Sequence, residues 1–242
     1  MLAITTHDFF FFTRREFWFY NGEEIQEGTY NVFPVASEVK ERGVHFLYKF
    51  TTAVVDLSKT EQELFEGIQP RIRRYIRAAE KQNLEFLVIR HPSPADCNYV
   101  IDSFNIFAKK KGILPLTRRW LSAAVKTGKI CFTQVEQNGT NIITHVYLFD
   151  SNKVIYSHTF NHPSLSNERL RSDANQFLLW KDILFFKEIG ISFYDFGGID
   201  VEHLPGISGF KLKFGGEVRE YNRYVKTSYF FFLLAKLYKL IF

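Results

Sequence analysis

The residues best equipped for chemistry lie between positions 194 and 217. There the chain reads Tyr194-Asp195-Phe196-Gly197-Gly198-Ile199, and later Gly206-Ile207-Ser208-Gly209-Phe210-Lys211-Leu212-Lys213-Phe214-Gly215-Gly216-Glu217. A glycine pair after a buried strand lets backbone approach a ligand or take a positive φ. Two such pairs, Gly197 with Gly198 and Gly215 with Gly216, flank Phe210, Lys211 and Lys213. In an extended segment Lys211 and Lys213 share one side, and Phe210, Leu212 and Phe214 the other. Cations beside open backbone N–H groups suit a phosphate or a carboxylate. The same residues also read as two tight turns carrying surface lysines. Asp195 is the acid best placed here, either to take a proton from an amine or to hold the Gly-Gly turn.

A second cationic set is Arg71-Ile72-Arg73-Arg74-Tyr75-Ile76-Arg77-Ala78-Ala79-Glu80-Lys81. On a helix Arg74, Arg77 and Lys81 share one face, while Ile72, Ile76 and Ala79 share the opposite one. That is either a solvated face over a packed stripe or a ridge for an anionic substrate, such as a pyrophosphate or an RNA backbone.

Other chemistries find less support. His158 and His162 have a metal-like spacing, but they fall on a strand end before Pro163 and no glutamate follows the first histidine, so no metal is expected. Cys97 and Cys131 lie in runs that read as helix or strand and are expected to be reduced, structural thiols. No Gly-x-Ser-x-Gly elbow and no Walker loop occurs.

Elements that would position these residues follow from the pattern. The first fifty residues read as strands and turns, with β-rich runs at 44–50 and 53–57. Ser58 with Glu61 makes a capping box for a helix that Pro70 interrupts, and a second helical run begins at Arg71. A short strand at 84–89 and helices at 96–111 and 117–126 come next. Three strands at 130–136, 141–149 and 153–160, joined through Asn138-Gly139 and Asp150-Ser151-Asn152, predict an antiparallel meander. A long helix over 173–189 leads into a strand at 192–196 and the first Gly-Gly pair, and a further strand run lies near 217–225. The order is an α+β pattern.

The run Arg73-x-x-Ile76-Arg77-x-Ala79-Glu80-Lys81, the Trp180 helix ending at Gly190, Tyr194-Asp195-Phe196-Gly197-Gly198 and Phe210-Lys211-x-x-Phe214-Gly215-Gly216 together resemble the FemAB-like branch of the GNAT acyltransferase superfamily, a Fem-type acetyltransferase domain. The resemblance covers roughly residues 54–224. It implies a GNAT-like acyltransferase fold, a mixed central sheet flanked by helices, and transfer of an acyl or aminoacyl group to an amine of a cell-envelope precursor. By that resemblance Phe210 and Lys211 contact the donor, acyl-CoA or aminoacyl-tRNA, and tRNA is an expected partner. The division would be a reduced first unit at 1–57, the acyltransferase domain at 58–226 and an apolar helix at 227–242. Residues 161–172 contain no glycine, so the usual pyrophosphate-cradling loop is missing and both donors stay open. A non-catalytic module of the same fold, with a basic groove for RNA or lipid, is the alternative.

Composition fits this frame. The 242 residues are 46% hydrophobic and 17% aromatic, with 27 Phe, enough for a large core. The net charge of +5 favours anionic partners without demanding nucleic acid. Asp8, Arg14, Arg15 and Glu16 bound the phenylalanine run at 9–12, so no secretory signal is expected and the location is expected to be cytoplasmic, with a peripheral place on the inner face of the membrane as a variant. The tail from Tyr229 to Phe242 is apolar nearly all round, with Lys236 and Lys239 its cations. It either packs on the aromatic N-terminal strands or lies in a membrane interface.

Overall fold

The computed structural model describes residues 1–8, 12–23, 25, 28–163, 165, 167–200, 202 and 205–237. Phenylalanines 9–11 and the tail beyond 237 lie outside these described residues. The chain forms two compact units, Met1–Thr51 with Arg219–Phe242, and Thr52–Val218. This partition differs from a division at 57 and 226. The runs at 44–50 and 53–57 are one strand, β4 (Val44–Asp56), which changes unit at Thr52.

In the first unit β1 (Leu2–Asp8) and β2 (Phe12–Trp18) form an antiparallel pair, and β2 lies parallel to β3 (Tyr30–Ala36). β3 pairs antiparallel with the last strand, β10 (Glu217–Lys226), over Asn222 to Lys226. Alternate side chains leave opposite faces of a strand. Tyr30 and Val32, with Val225, pack under Phe231 and Ala235 of the last helix, α7 (Tyr229–Leu237). Phe33 instead joins Phe17, Ala36 and Val39 on the other face. With both faces covered, β3 is buried almost throughout.

The second unit orders its strands as the end of β4, then β9 (Phe193–Gly198), β8 (Lys153–Asn161), β7 (Thr140–Phe149), β6 (Ile130–Gln137) and β5 (Glu85–Ile89). The β8–β9 pair is parallel, and the others are antiparallel. Asn138, at φ 53°, and Gly139 turn β6 into β7, as the Asn-Gly signal predicts. Among the described residues this unit holds six helices: α1 (Glu61–Gly67), α2 (Pro70–Ala79), α3 (Pro94–Lys111), α4 (Arg118–Lys126), α5 (Glu168–Glu188) and α6 (Pro205–Leu212).

Helix starts depart from the expected ones where a different residue caps them. The capping box of α1 is Thr60 with Glu63, not Ser58 with Glu61. Ser58 is taken up in the turn after β4, where its N–H donates to Asp56 at 2.9 Å. α5 starts five residues before Asp173, because the Asn167 side chain caps the N–H of Leu170 at 3.0 Å.

The pleat decides which helix covers which face. His145 and Tyr147 of β7 reach Asp182 of α5, so that face lies under α5. Their neighbours Thr144 and Val146 point the other way and pair with Phe160 and His158 of β8, which meet Phe104 of α3. The larger core forms on the α5 side: Val55, Leu64, Ile72, Ile76, Leu179, Ile183, Phe186, Tyr194 and Phe196 are all buried together. α2 therefore buries Ile72, Ile76 and Ala79 as its spacing predicts. Among the described residues no helix is long and apolar enough to cross a membrane.

Candidate functional site

β9 carries the first Gly-Gly pair to the site. Its antiparallel partner is the end of β4, and its parallel partner is β8 over Lys153 to Ile155. Asp195 is buried, and its Oδ1 accepts the N–H of Gly197 at 2.8 Å and the hydroxyl of Thr52 at 2.5 Å. The Thr52 oxygen also lies 2.9 Å from the carbonyl oxygen of Gly197. Burial pushes the Asp195 carboxyl up, while the hydrogen bonds from Thr52 and Gly197 and the charges of Lys153 and Lys211 pull it back. The arrangement fixes the turn at Gly197, whose φ is 67°. A Cβ there would stand 2.6 Å from the carbonyl oxygen of Tyr156, so β8 backbone fills the space a side chain would need.

The second element is not extended. Residues 205–212 form α6, and turns continue the winding through Lys213 N–H to Phe210 O and Phe214 N–H to Lys211 O, both 3.2 Å. Lys211 and Lys213 therefore do not share a side. Lys213 is exposed, whereas Lys211 is half-buried and turns back over β9. Its ammonium donates to the carbonyl oxygen of Gly198 at 2.8 Å and reaches that of Gly197 at 3.3 Å, with the ring of Tyr156 5.9 Å away. Burial lowers its pKa to about 8, and the carboxylate of Asp195 opposes that shift.

Phe210 and Phe214, one turn apart, stack edge to face at 5.4 Å and join the core through Phe196. After them the chain passes hard against the end of α1. At Gly215, φ 79°, a Cβ would lie 2.8 Å from the carbonyl oxygen of Gly67. The neighbouring Gly216 sits as closely on Ala53. The Gln69 N–H then donates to Lys213 O at 2.9 Å, which ties the start of α2 to this element.

The structure thus brings Asp195, Lys211, Gly197 and Gly198 together and seats Phe210 and Phe214 beside them. Arg74 and Arg77 stand on the exposed face of α2, with Arg77 5.2 Å over the ring of Phe65. Lys81 is exposed but lies past Ala79, the last residue of the helix, so it does not extend the face by a further turn.

No family model and no curated protein matches the sequence. Solved structures do. FemX matches with a TM-score of 0.61 at 14% identity, over 82% of this chain and 68% of its own. L-PGS from Bacillus licheniformis matches with 0.56 at 12% identity, over 86% and 72%. The C-terminal domain of a putative lysylphosphatidylglycerol synthetase from Agrobacterium fabrum gives 0.55 at 11%, over 82% and 68%. The likeness is one of fold: a mixed sheet flanked by helices, shared with these three structures.

Sequence reasoning missed a buried polar cluster beside the site. Asp182 Oδ2 accepts the hydroxyl of Tyr147 at 2.6 Å and lies 2.8 Å from Nδ1 of His145. Tyr147 and Tyr194 share a 2.6 Å hydrogen bond, and His145 Nε2 lies 3.0 Å from Oδ1 of Asn175. Burial first, and the Asp182 carboxylate second, push both tyrosines far above their ordinary range. The signal was available, since Asp182 follows Leu178 and Leu179 by four and three residues and precedes Phe186 by four. A carboxylate on such a stripe must find partners inside. His158 is packed between Phe104 and Trp120, its Nδ1 2.8 Å from Ser157 Oγ, and burial lowers its pKa to about 4.

Proposed function

We propose that this protein is an acyltransferase that moves an acyl or aminoacyl group onto an amine of a cell-envelope precursor, an amino sugar or its peptide. The observation that carries the reading is the Lys211 ammonium. Lysine offers three N–H donors. Two face the carbonyls of Gly197 and Gly198, which leaves the third for an oxygen of the donor. In a partly desolvated position such a bond gains strength just where charge develops.

The amine attacks the carbonyl carbon of a thioester or ester, and a C–N bond forms as the carbonyl oxygen becomes an oxyanion. Lys211 donates to that oxygen. The C–S or C–O bond then breaks, the thiolate or alkoxide departs, and the proton shed by the amine goes to the leaving group or to water. Asp195 serves this scheme by holding the Gly197 turn and, through it, the carbonyls that aim Lys211. Phe210, half-buried, is proposed to give the donor its apolar contact, and Phe214, buried beneath it, to hold that ring in place. Gly215 and Gly216 keep that contact close to α1. Arg74 and Arg77, with Lys81 and Lys213 as outlying charges, are proposed to hold an anionic part of a substrate. One structurally similar protein is named a putative lysylphosphatidylglycerol synthetase, which keeps an aminoacyl donor beside acyl-CoA in the proposal.

The test is turnover: thiol release from acyl-CoA, and transfer of label from charged tRNA, each with amine acceptors. Activity with either donor that falls on Lys211→Ala supports the reading. Absence of turnover with both donors, together with RNA or lipid binding, assigns the chain to the binding-module alternative.

A further inference from the structure

The corner between α3 and α4 carries an unusual combination of charge and exposed aliphatic surface. α3 ends in Lys109, Lys110 and Lys111, all exposed, and these three make no ion pair among the described residues. After Gly112, Ile113 is 49% and Leu114 78% exposed. Arg118 and Arg119, both exposed, open α4. From Ser103 to Val135 the sequence contains neither aspartate nor glutamate. The Asp102 carboxylate below the corner is engaged by Arg118 at 3.3 Å.

The tip is held outward. Leu116 is buried, and Asn105 grips it from both sides: its Oδ1 accepts the Leu116 N–H at 2.8 Å and its Nδ2 donates to the Leu116 carbonyl at 3.1 Å. The Ile113 N–H is bound to the Ala108 carbonyl at 3.1 Å. With both ends fixed, Ile113 and Leu114 cannot take the place that Leu116 already fills.

We propose that this corner docks on an anionic lipid bilayer, with the three lysines at the headgroups and Ile113 and Leu114 entering the acyl boundary. The chemistry selects among partners. RNA would satisfy the lysines and the two arginines, but it would leave the aliphatic Ile113 and Leu114, which offer no ring for a base to stack on, in water. Protein interfaces favour Trp, Tyr and Arg at their centres and are poor in lysine. A bilayer with anionic headgroups matches both features at once. The inference stands apart from the acyl-transfer reading and needs no substrate.

The experiment is flotation of the full chain with vesicles of phosphatidylcholine, with and without phosphatidylglycerol. Wild type should float with the anionic vesicles and stay behind with the neutral ones. Each lysine near the surface is worth about fivefold in affinity, so replacing Lys109, Lys110 and Lys111 by Gln should cost roughly a hundredfold. Ile113→Asp with Leu114→Asp should also abolish flotation, with the melting temperature unchanged because both side chains are exposed. As a readout that survives a misbehaving double variant, the indole of Leu114→Trp should shift its emission to the blue on anionic vesicles. Raising salt should weaken binding, since screening acts within about 8 Å at physiological ionic strength. Wild type that never floats overturns the proposal, as does equal flotation of the wild type and both variants. Lysine-dependent binding of RNA without vesicle binding assigns the corner to nucleic acid instead.

Discussion

Thr52 and Asp195, 143 residues apart in the chain, meet where β4 crosses β9, with the Thr52 hydroxyl 2.5 Å from Oδ1 of the carboxylate. The same oxygen takes the Gly197 N–H, so one carboxylate fixes the backbone that Lys211 grips.

Asp195→Asn and Asp195→Ala should therefore behave differently. Asparagine keeps an oxygen for Thr52 and Gly197 and removes a charge that burial disfavours. Its stability at neutral pH should equal or exceed that of the wild type, with kcat/KM within a few-fold. Alanine strands the Gly197 N–H and should cost about 1–3 kcal/mol, together with most activity. Denaturant melts and kcat/KM for the two variants decide it. A strong loss of kcat in the asparagine variant at full stability would make Asp195 the proton acceptor.

Lys211 should leave a signature in pH. Its folded pKa of about 8 lies below the ordinary 10.5. Between those values the unfolded chain binds a proton that the folded chain has released, so stability rises with pH across that window. Lys211→Met should abolish that rise, which thermal melts over the window will show. If the ammonium is the oxyanion donor, kcat/KM should also fall as pH passes about 8. Lys211→Ala should lose roughly one to two decades in kcat/KM, the equivalent of about 1.5–3 kcal/mol for a charge-assisted hydrogen bond. Wild-type kinetics in that variant would remove Lys211 from the reaction.

Glycines at the site should divide by what surrounds them. Gly197→Ala sets a Cβ 2.6 Å from a backbone oxygen at positive φ, and a cost of about 2–4 kcal/mol is expected from overpacking and strain together. Gly209 lies within α6 with no atom within 4 Å of its would-be Cβ. Gly209→Ala should stabilise by about 0.5–1 kcal/mol. Chemical denaturation of both variants checks the contrast, and equal effects would refute it.

Arg74 and Arg77 give a separate test. Reversing both charges should raise KM several-fold and flatten its salt dependence, because fewer counterions are released when an anionic substrate binds. Arg77 also covers the ring of Phe65, so Arg77→Glu alone should lose some stability while Arg74→Glu should not. An unchanged KM with an unchanged salt profile makes this a solvated face.

How far the sequence could be read depended on the range of the interactions involved. The meander and α3 end on local turn chemistry, Asn138-Gly139 and Gly112, and short-range pattern suffices for such signals. Phe210, Leu212 and Phe214 alternate with Lys211 and Lys213 as in an extended segment, yet the chain winds here into α6 and the turns after it. That period of two hid the one-turn spacing of Phe210 and Phe214, and Gly206 and Gly209 weakened the helical signal. Asp195, Gly197, Gly198 and Lys211 were legible as a cluster. Thr52 was not, since nothing local marks a threonine that β4 brings to a carboxylate far along the chain. The same holds for the unit boundary, which falls inside the continuous strands β4 and β10 rather than at any linker.

The last helix has two apolar faces, and they should respond oppositely to mutation. Phe231 lies 4.8 Å from the ring of Phe12 and 5.2 Å from that of Tyr30, and Ala235 is fully buried. Phe231→Ala should cost about 3–5 kcal/mol, as truncations of buried aromatic rings do. A chain ending at Lys226 should aggregate, because Tyr30, Val32 and Val225 lose their cover. Phe230, Leu233 and Leu237 are exposed, spaced three and four apart on the opposite side. Leu233→Ser should change stability by no more than about 0.5 kcal/mol. Packing therefore accounts for one face alone, and flotation assigns the other. If Leu233→Asp with Leu237→Asp weakens vesicle binding while Ile113 and Leu114 are intact, α7 is a second lipid contact. If flotation is unchanged by that pair, α7 serves its own unit and the α3–α4 corner accounts for the membrane.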